Sequence, residues 1–553
     1  MLAFFTSSAQ VDLLDIVALC AGLGVFLMGM KLMSDSMEKF ANNKLRNLLN
    51  SVTNNKLKGV GVGAAVTAII QSSSATTVMT VGLVNAGVLT LVQSVPIIMG
   101  ANIGTTITAQ IAALQSVGDV TTYLELLAVI GAFMALLGRR ERTKTIGVIL
   151  AGLGLLFVGL DIMSGSMADM KDSPFFSETI QTITNPFLLV LIGLVFTGII
   201  QSSSAVTGIL VSMAASGIVI GGGGNAVLYV ILGTNIGTCV TALLSGIGAN
   251  TNGKRAAVVH LLFNVIGTIV FMILLLCWPS FYDVTLAVWF EGVPATQIAM
   301  FHTFFNVVTT LLLLPFANAL VKLSKIIVKD KKTDKEKVCQ FIDDRFLEMP
   351  SIAISQAEKE IASAIGVAKS ALDIAVDAFV GKNNDRLAEV EQLRGKLLRS
   401  SAGITKFLVK VSSEQISYSD EKTLSALHHI LTDIDRLAEL AENIRRYSQV
   451  SQERGLEFSQ SVMGEISEMH SKLGDQFAAV LTSVENWNGD LLPQIEEREN
   501  QIDECKKALL DSHIKRLNDG ECKIESSSVF INLVGNLERV GDHLAKIARS
   551  VAQ

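Results

Sequence analysis

The sequence predicts an all-α protein in two parts: a polytopic membrane half made of two inverted repeats with re-entrant helical hairpins, and a soluble tail of two three-helix bundles. Three observations carry this prediction. Roughly the first 320 residues are dominated by Leu, Ile, Val, Ala, Gly and Met, in runs of the about 20 apolar residues that a span needs. From 340 onward the chain is rich in Glu, Lys, Arg, Ser and Leu. A set of short motifs occurs twice, about 130 residues apart, and basic residues are confined to alternate loops.

Seven crossings are predicted, near 13–33, 94–115, 122–138, 146–166, 225–247, 256–278 and 297–320. The first run has no basic leader and no small-residue cleavage site, so it reads as a retained helix. The six cysteines have no spacing that suggests a disulfide framework or a zinc site. The net charge of −6 over 553 residues averages two unlike regions and identifies no partner. No nucleic-acid partner is expected. No Gly-x-x-x-x-Gly-Lys-Ser/Thr motif occurs, which argues against drive by ATP, and no enzyme activity is expected.

The repeats are read from their motifs. Gln71-Ser72-Ser73-Ser74-Ala75 returns as Gln201-Ser202-Ser203-Ser204-Ala205. Ala21-Gly22-Leu23-Gly24 returns as Ala151-Gly152-Leu153-Gly154. Gly100-Ala101-Asn102-Ile103-Gly104-Thr105-Thr106 is echoed by Gly233-Thr234-Asn235-Ile236-Gly237-Thr238-Cys239. Repeat 1 covers about 13–138 and repeat 2 about 146–278, with an extra helix at 297–320, so the membrane half is 1–321.

Loop charge sets the topology. The connections 38–58, 138–145 and 254–255 are basic, and 322–337 holds seven lysines. The positive-inside rule assigns these to the cytoplasm. The amino terminus, 168–185 and 281–296 are acidic or neutral and belong outside, with Trp278 and Trp289 flanking the last of these at the interface. Loops 38–58 and 168–185 are equivalent in the repeats yet opposite in charge, so the repeats are expected to be inverted. Parity closes if each Gln-Ser-Ser-Ser segment is a re-entrant hairpin, with the amino terminus outside and the carboxyl end inside.

Polar groups at membrane depth cost several kcal/mol each unless satisfied. A hairpin broken at its tip opens a new half-helix whose free N–H groups and positive dipole end suit an anion. Ser hydroxyls add donors, and two facing tips make a neutral cup for a small tetrahedral oxyanion. In the Asn-Ile-Gly-Thr segments, Gly104 and Gly237 are expected to permit local unwinding. Freed carbonyls there, with Asn102, Thr105, Asn235 and Thr238, would supply hard oxygen ligands to a cation. A third pair, His260 with Asn264 and His302 with Asn306, is a functional candidate beside the alternative of interhelical hydrogen bonding. For the Ser runs the bland alternative is close helix packing; duplication argues against it.

At these residues the chain resembles the bacterial branch of the type II sodium–phosphate cotransporters, over about residues 10–320. The resemblance implies inorganic phosphate carried with Na⁺ by alternating access in the bacterial inner membrane. It places phosphate at Gln71, Ser72, Ser73, Ser74, Gln201, Ser202, Ser203 and Ser204. Sodium ions are expected at Thr76, Thr77, Asn102, Thr105, Thr106, Thr207, Asn235 and Thr238, with Asn264 and Asn306 in support. Val206 stands where repeat 1 has Thr76, so the two tips are not chemically equal. Membrane lipid is the expected surround, and a homodimer is left open. A sensor that binds phosphate and signals without flux, and a channel, are the rival classes.

Beyond a basic linker at 322–340, apolar residues at helical spacing predict six helices over 341–553. Breaks fall near 382–384, 412–419, 449–455, 487–490 and 518–521. Asp435-Arg436-Leu437-Ala438-Glu439 and Glu538-Arg539-Val540-Gly541-Asp542 repeat at an offset of 103, giving two bundles in tandem. Carboxylates at i and i+4 share a helix face and could hold a metal or face solvent. The tail resembles PhoU, a cytoplasmic phosphate-signalling regulator, which implies a divalent or transition metal at Asp435 and Glu439 and at Glu538 and Asp542. The first pair departs from the family pattern by ending in Glu439.

Overall fold

Asn55 and Asn185 stand at equivalent places in the two repeats and start equivalent helices in the same way. Each turns its side-chain oxygen onto two backbone N–H groups of the first helical turn, Leu57 and Lys58 in one case, Phe187 and Leu188 in the other. The computed structural model describes residues 13–50, 55–116, 120–171, 180–330, 338–381, 383–414, 416–520 and 524–553. Every regular element among them is helical. The chain divides into two compact units, 1–334 and 335–553.

The membrane unit begins with α1 (Leu13–Asn50), then a broken pair, α2 (Lys56–Ile70) and α3 (Ser73–Asn85), then α4 (Leu91–Ala113) and α5 (Val120–Leu137). The second repeat follows as α6 (Glu141–Met170), the broken pair α7 (Pro186–Ile200) and α8 (Ser203–Ala215), then α9 (Ala226–Gly237), α10 (Cys239–Gly246) and α11 (Thr251–Cys277). Two single turns, α12 (Phe281–Val284) and α13 (Leu286–Trp289), lead to α14 (Pro294–Leu313) and α15 (Ala317–Ile327). Among the described residues, seven segments are long and apolar enough to cross a membrane: 13–41, 91–116, 120–137, 141–170, 226–246, 251–277 and 294–313. The halves of the broken pairs, at 15 and 13 residues, fall short of the about 20 a crossing needs.

Two expectations are corrected here. The helix read as 297–320 ends at Leu313, because Pro315 cannot continue it. The chain then turns into α15, which buries Ala317, Leu320, Val321 and Ser324 against α4 and α11. The connection read from 38 is helical as far as Asn50. Part of the expected linker, 331–337, lies outside the described residues, as do 51–54 and 172–179 of two loops.

Small residues let the core helices touch backbone to backbone. A methyl built on Gly22 would meet the Gly159 carbonyl at 3.0 Å, and one on Gly159 the Gly22 carbonyl at 2.7 Å. Gly29 and Gly152 stand in the same reciprocal relation, at 2.7 Å each way. The first residue of each pair in α1 meets a later residue in α6, so the two helices run antiparallel. Gly152 is the repeat counterpart of Gly22, and Gly159 of Gly29, so the contact maps onto itself when the repeats are exchanged.

The connections sort into two ends. Lys56 Nζ reaches the Leu314 carbonyl at 3.5 Å. The buried Arg255 donates through Nε to the Val328 carbonyl at 3.0 Å and pairs with Asp330 at 2.9 Å. Two of the four basic connections, 254–255 and 322–337, thus meet, and Lys56 of a third reaches the end of α14. At the other end Asn225 donates to the Leu275 and Trp278 carbonyls and accepts from the Tyr282 N–H, while the Gly221 N–H donates to the Ile180 carbonyl.

Among its described residues the second unit holds six long helices: α16 (Pro350–Gly381), α17 (Leu387–Ser412), α18 (Tyr418–Glu453), α19 (Gln460–Asn486), α20 (Leu492–Asn518) and α21 (Ile524–Ala552), and the break expected near 449–455 begins only after Glu453. Each successive three pack together, and the bundles join through α18 on α21 and α16 on α19. Near this join the Glu442 side chain, only 8 % exposed, accepts from Arg445 at 2.7 and 2.9 Å and from Arg446 at 3.0 Å. The Arg445 guanidinium, against the cost of burial, holds this carboxyl below its ordinary value. Glu442→Gln is expected to lower tail stability by about 2 kcal/mol at neutral pH. A depressed folded value means the contribution is complete above the unfolded carboxylate range, about pH 4.3, and disappears as the pH falls through the folded value. Denaturant melts of wild type and variant should therefore converge toward pH 3; a gap unchanged with pH would refute the assignment.

Candidate functional site

Two of the three non-glycine residues with positive φ among the described residues are Gln71 and Gln201. Both adopt φ 57°, with ψ 22° and 21°, a left-handed conformation that is uncommon outside glycine and costs of order 1 kcal/mol or more. Their N–H groups still bond back, to the Thr67 carbonyl at 2.6 Å and the Thr197 carbonyl at 2.7 Å, which ends α2 and α7. Ser72 and Ser202 are then extended, both at φ −140°, and cap the next helix, their Oγ accepting from Ala75 N at 3.1 Å and Ala205 N at 3.2 Å. Thr76 and Val206 bond to the Ser72 and Ser202 carbonyls. The N–H groups of Ser73 and Ser74, and of Ser203 and Ser204, are left as the open donors of 13-residue helices. Ser73, Ser203 and Ser204 are buried; Ser72, Ser74 and Ser202 are half-buried.

The tips differ in their surroundings. Gln71 is buried; its Nε2 donates to the Ala68 carbonyl and its Oε1 accepts from Thr108 Oγ1, both at 2.6 Å. Gln201 is exposed. Thr67 Oγ1 donates to Thr76 Oγ1 at 3.0 Å, and Thr76 Oγ1 to the Ser72 carbonyl at 3.0 Å. In the second repeat Val206 removes that partner, and Thr197 Oγ1 lies buried without one.

The expected sodium ligands Thr76, Thr77, Asn102, Thr105, Thr106, Thr207, Asn235 and Thr238 are all buried. Thr77 and Thr207, counterparts in the two repeats, keep buried hydroxyls with no protein partner, and each such group calls for an explanation. Asn102 is brought to the third motif: its Nδ2 donates to Asn264 Oδ1 at 3.0 Å, and His260 Nε2 lies 3.3 Å from its Oδ1. Asn264 in turn donates to the His260 carbonyl at 3.0 Å. Asn306 donates to the His302 carbonyl at 2.9 Å, yet its Oδ1 and both His302 ring nitrogens are buried without partners. Asn235 donates to the Ile231 carbonyl at 3.0 Å.

The expected unwinding at Gly104 is corrected, and at Gly237 it is confined to a one-residue interruption. Helix α4 runs unbroken through Gly104, and after Gly237 there is a single turn residue, Thr238, of helical φ and ψ. These glycines serve close packing: a methyl on Gly104 would lie 2.5 Å from the Ala64 carbonyl oxygen, and one on Gly237 2.5 Å from Thr197 Cβ. At Gly104 no carbonyl is freed, and at the interruption after Gly237 the Asn235 carbonyl accepts from the Thr238 hydroxyl. Thr105, Thr106 and Thr238 donate to the Ala101, Ile103 and Asn235 carbonyls of their own helices, which leaves their hydroxyl lone pairs as the oxygens on offer.

Sequence reasoning missed Thr67, Thr108 and Thr241. Thr108 and Thr241 lie six residues beyond Asn102 and Asn235 in the echoed segments, so extending the alignment by one helical turn would have exposed them.

In the tail, Glu538 and Asp542 meet Asp503 of α20, also missed, with carboxylate oxygens within 4.8 Å of one another; Lys506 pairs with Glu538 at 3.0 Å. Such oxygen donors fit a hard divalent cation. Asp435 and Glu439 gather no third carboxylate among the described residues. Glu439 pairs with Arg436 at 2.6 Å, and burial raises the Asp435 carboxyl.

Comparison with known proteins meets this geometry. The Na+/Pi-cotransporter family profile matches residues 25–165 and 171–318, and the PhoU domain profile matches 466–551. The chain is 32% identical to the uncharacterised protein YqeW of Bacillus subtilis over 323 residues, 58% of this chain and all of that one. It is 21% identical to YjbB of Escherichia coli K12, named as a proposed inorganic phosphate export protein, over 98% of both chains. Sodium-dependent phosphate transport protein 2A of Oryctolagus cuniculus is 33% identical over 152 residues, 26% of this chain and 22% of that protein. Among solved structures, PhoU from Pseudomonas aeruginosa matches 35% of this chain and 93% of its own, at 19% identity and a TM-score of 0.33. The chain is a multi-pass membrane protein that belongs to the Na+/Pi-cotransporter family, a family of transporters and not of enzymes, and it carries a PhoU domain.

Proposed function

We propose that the chain carries inorganic phosphate together with Na⁺ by alternating access, under the control of its cytoplasmic tail. The observation that carries this reading is the identical backbone of the two breaks at Gln71 and Gln201. Each opens a helix whose unsatisfied N–H groups are flanked by serines, with no basic side chain in either motif. Such a start binds an oxyanion through dipoles and neutral donors. Gln71 to Ser74 and Gln201 to Ser204 are the phosphate ligands on this reading. Thr77 and Thr207, with unspent buried hydroxyls, head the sodium set, followed by Thr76, Asn102, Thr105, Thr106, Asn235 and Thr238, with Asn264 and Asn306 behind them.

The self-mapping contact of α1 with α6 supports inverted repeats, and the gathering of basic connections at one end supports a cytoplasmic carboxyl half. The short helices of the broken pairs support re-entrant hairpins in the inner membrane. Sodium dependence is named for the mammalian relative and export for the bacterial one. One cotransporter satisfies both, since its net direction follows the two gradients. Proteoliposomes of the purified protein should accumulate labelled phosphate under an inward Na⁺ gradient and stop when K⁺ replaces Na⁺. Flux indifferent to Na⁺ would remove the coupling; saturable binding without flux would replace the transporter by a sensor.

A further inference from the structure

The repeats repeat their helices but not their hydrogen bonds. Thr108 and Thr241 are counterparts: Thr108 lies on α4, which packs along α2 and α3, and Thr241 on α10, which touches the end of α7 through Val240 and Gly198. In the first repeat Thr108 Oγ1 holds Gln71 Oε1 at 2.6 Å, and Gln71 is buried. In the second, Thr241 Oγ1 is buried with no partner, while Gln201 is exposed. A second asymmetry sits one residue earlier. Ser34 of α1 donates to the Ile70 carbonyl, at the end of α2. Its counterpart Ser164 of α6 instead accepts from Gln115 at 2.7 Å and donates to the Ser212 carbonyl, on α8. In the packing this appears as α1 against α2, but α6 against α8. The first hairpin is therefore held at its tip glutamine and at the residue before it, and the second at neither, although both have the same backbone and an equivalent threonine exists.

We propose that Thr108 and Thr241 are positioning residues that dock the two tip glutamines one at a time: Gln71 on Thr108 in the state seen here, Gln201 on Thr241 in the opposite state. This rests on the alternating-access reading above. A buried hydroxyl without a partner carries a standing cost that the second docking would remove. The same gain is given up at the first tip, so the two states stay close in free energy, as a reversible carrier needs. The orphaned Thr241 is then the vacant half of an exchange, and the left-handed glutamines are the movable halves.

The test uses the full chain in lipid nanodiscs, with hydrogen–deuterium exchange read at 66–76 and 196–206 and turnover read in proteoliposomes. Thr108→Val should speed exchange at 66–76 and slow it at 196–206, because population moves to the state in which Gln201 is docked. Thr241→Val should do the reverse, slowing exchange at 66–76, and cut turnover about threefold to tenfold, the value of one hydrogen bond. Thr241→Ser, which keeps the hydroxyl, should restore turnover. If Thr108→Val changes its own tip alone, or Thr241→Val turns over as wild type, the exchange is refuted. Should Thr108→Val fail to fold, slowed exchange at 66–76 in Thr241→Val decides the question. The exchange arms need no phosphate, so a wild type that carries none would sink the proposed cargo while leaving the docking test intact.

Discussion

Gly63→Ala should abolish a stably folded membrane unit, whereas Gly61→Ala, two residues away on the same helix, should leave it as stable as before or more so. A methyl at 63 would lie 2.0 Å from the Ile97 carbonyl oxygen of α4. That obstacle is backbone, so no rotamer change relieves it. The two helices must part, and the match at Gly100, whose own methyl would lie 2.0 Å from the Val60 carbonyl, opens with them. Overpacking of this kind costs about 3 kcal/mol and sometimes more. Gly61 has nothing within 4 Å, so alanine there brings only its helix propensity, worth up to about 1 kcal/mol. The second repeat repeats the design, with Gly193 2.1 Å from the Val230 carbonyl and Gly233 2.0 Å from that of Val190. Detergent-solubilised Gly63→Ala and Gly193→Ala should lose their monodisperse size-exclusion peak or melt well below wild type. Melting alongside Gly61→Ala would show that the pair can separate at no cost, and the rigid-scaffold view of α2 with α4 would fall.

The same glycines mark where sequence reasoning stopped. The seven long apolar helices were legible because length and hydropathy are local quantities. The breaks at Gln71 and Gln201 were legible because a polar cluster in an apolar run, met twice, has few innocent explanations. Gly104 was not. A glycine licenses either a bend or a close approach, and only the distance to another helix tells them apart. The echoed motif drew attention to the bend, but Ala64 and Thr67 of α2 occupy the space a side chain would need. Pro315 is readable as a helix stop, but the expected span of 297–320 runs through it. Thr108 and Asp503 lie 37 and 35 residues from Gln71 and Glu538, and periodicity along one helix carries no information about which face of another it meets. In the tail most of the helix breaks emerged where expected because turns are written locally. The pairing of Glu439 with its neighbour Arg436 shows how an acidic motif can be spent on an ion pair.

Ser73→Ala and Ser203→Ala should each remove phosphate transport while leaving the fold intact, and they should differ in this from Ser72→Ala and Ser202→Ala. Ser73 and Ser203 occupy the first turn of α3 and α8, buried at 6 and 4 % exposure. The caps of these helices are the serines before them, so alanine at 73 or 203 keeps the helix start and every backbone N–H. On the proposed reading, what it deletes is one hydroxyl donor to a charged ligand. A hydrogen bond of that kind is worth roughly 1.5–3 kcal/mol, or about tenfold to a hundredfold in affinity. At positions 72 and 202 the hydroxyl oxygen also holds Ala75 N or Ala205 N, so its loss should cost about 1 kcal/mol of stability besides the transport defect. Phosphate binding and thermal melting measured on all four variants separate the two roles. Binding weakened at 73 and 203 with unchanged melting identifies hydroxyls that face the anion. Wild-type transport in both would move the phosphate away from the tips and leave the paired left-handed glutamines without a reason.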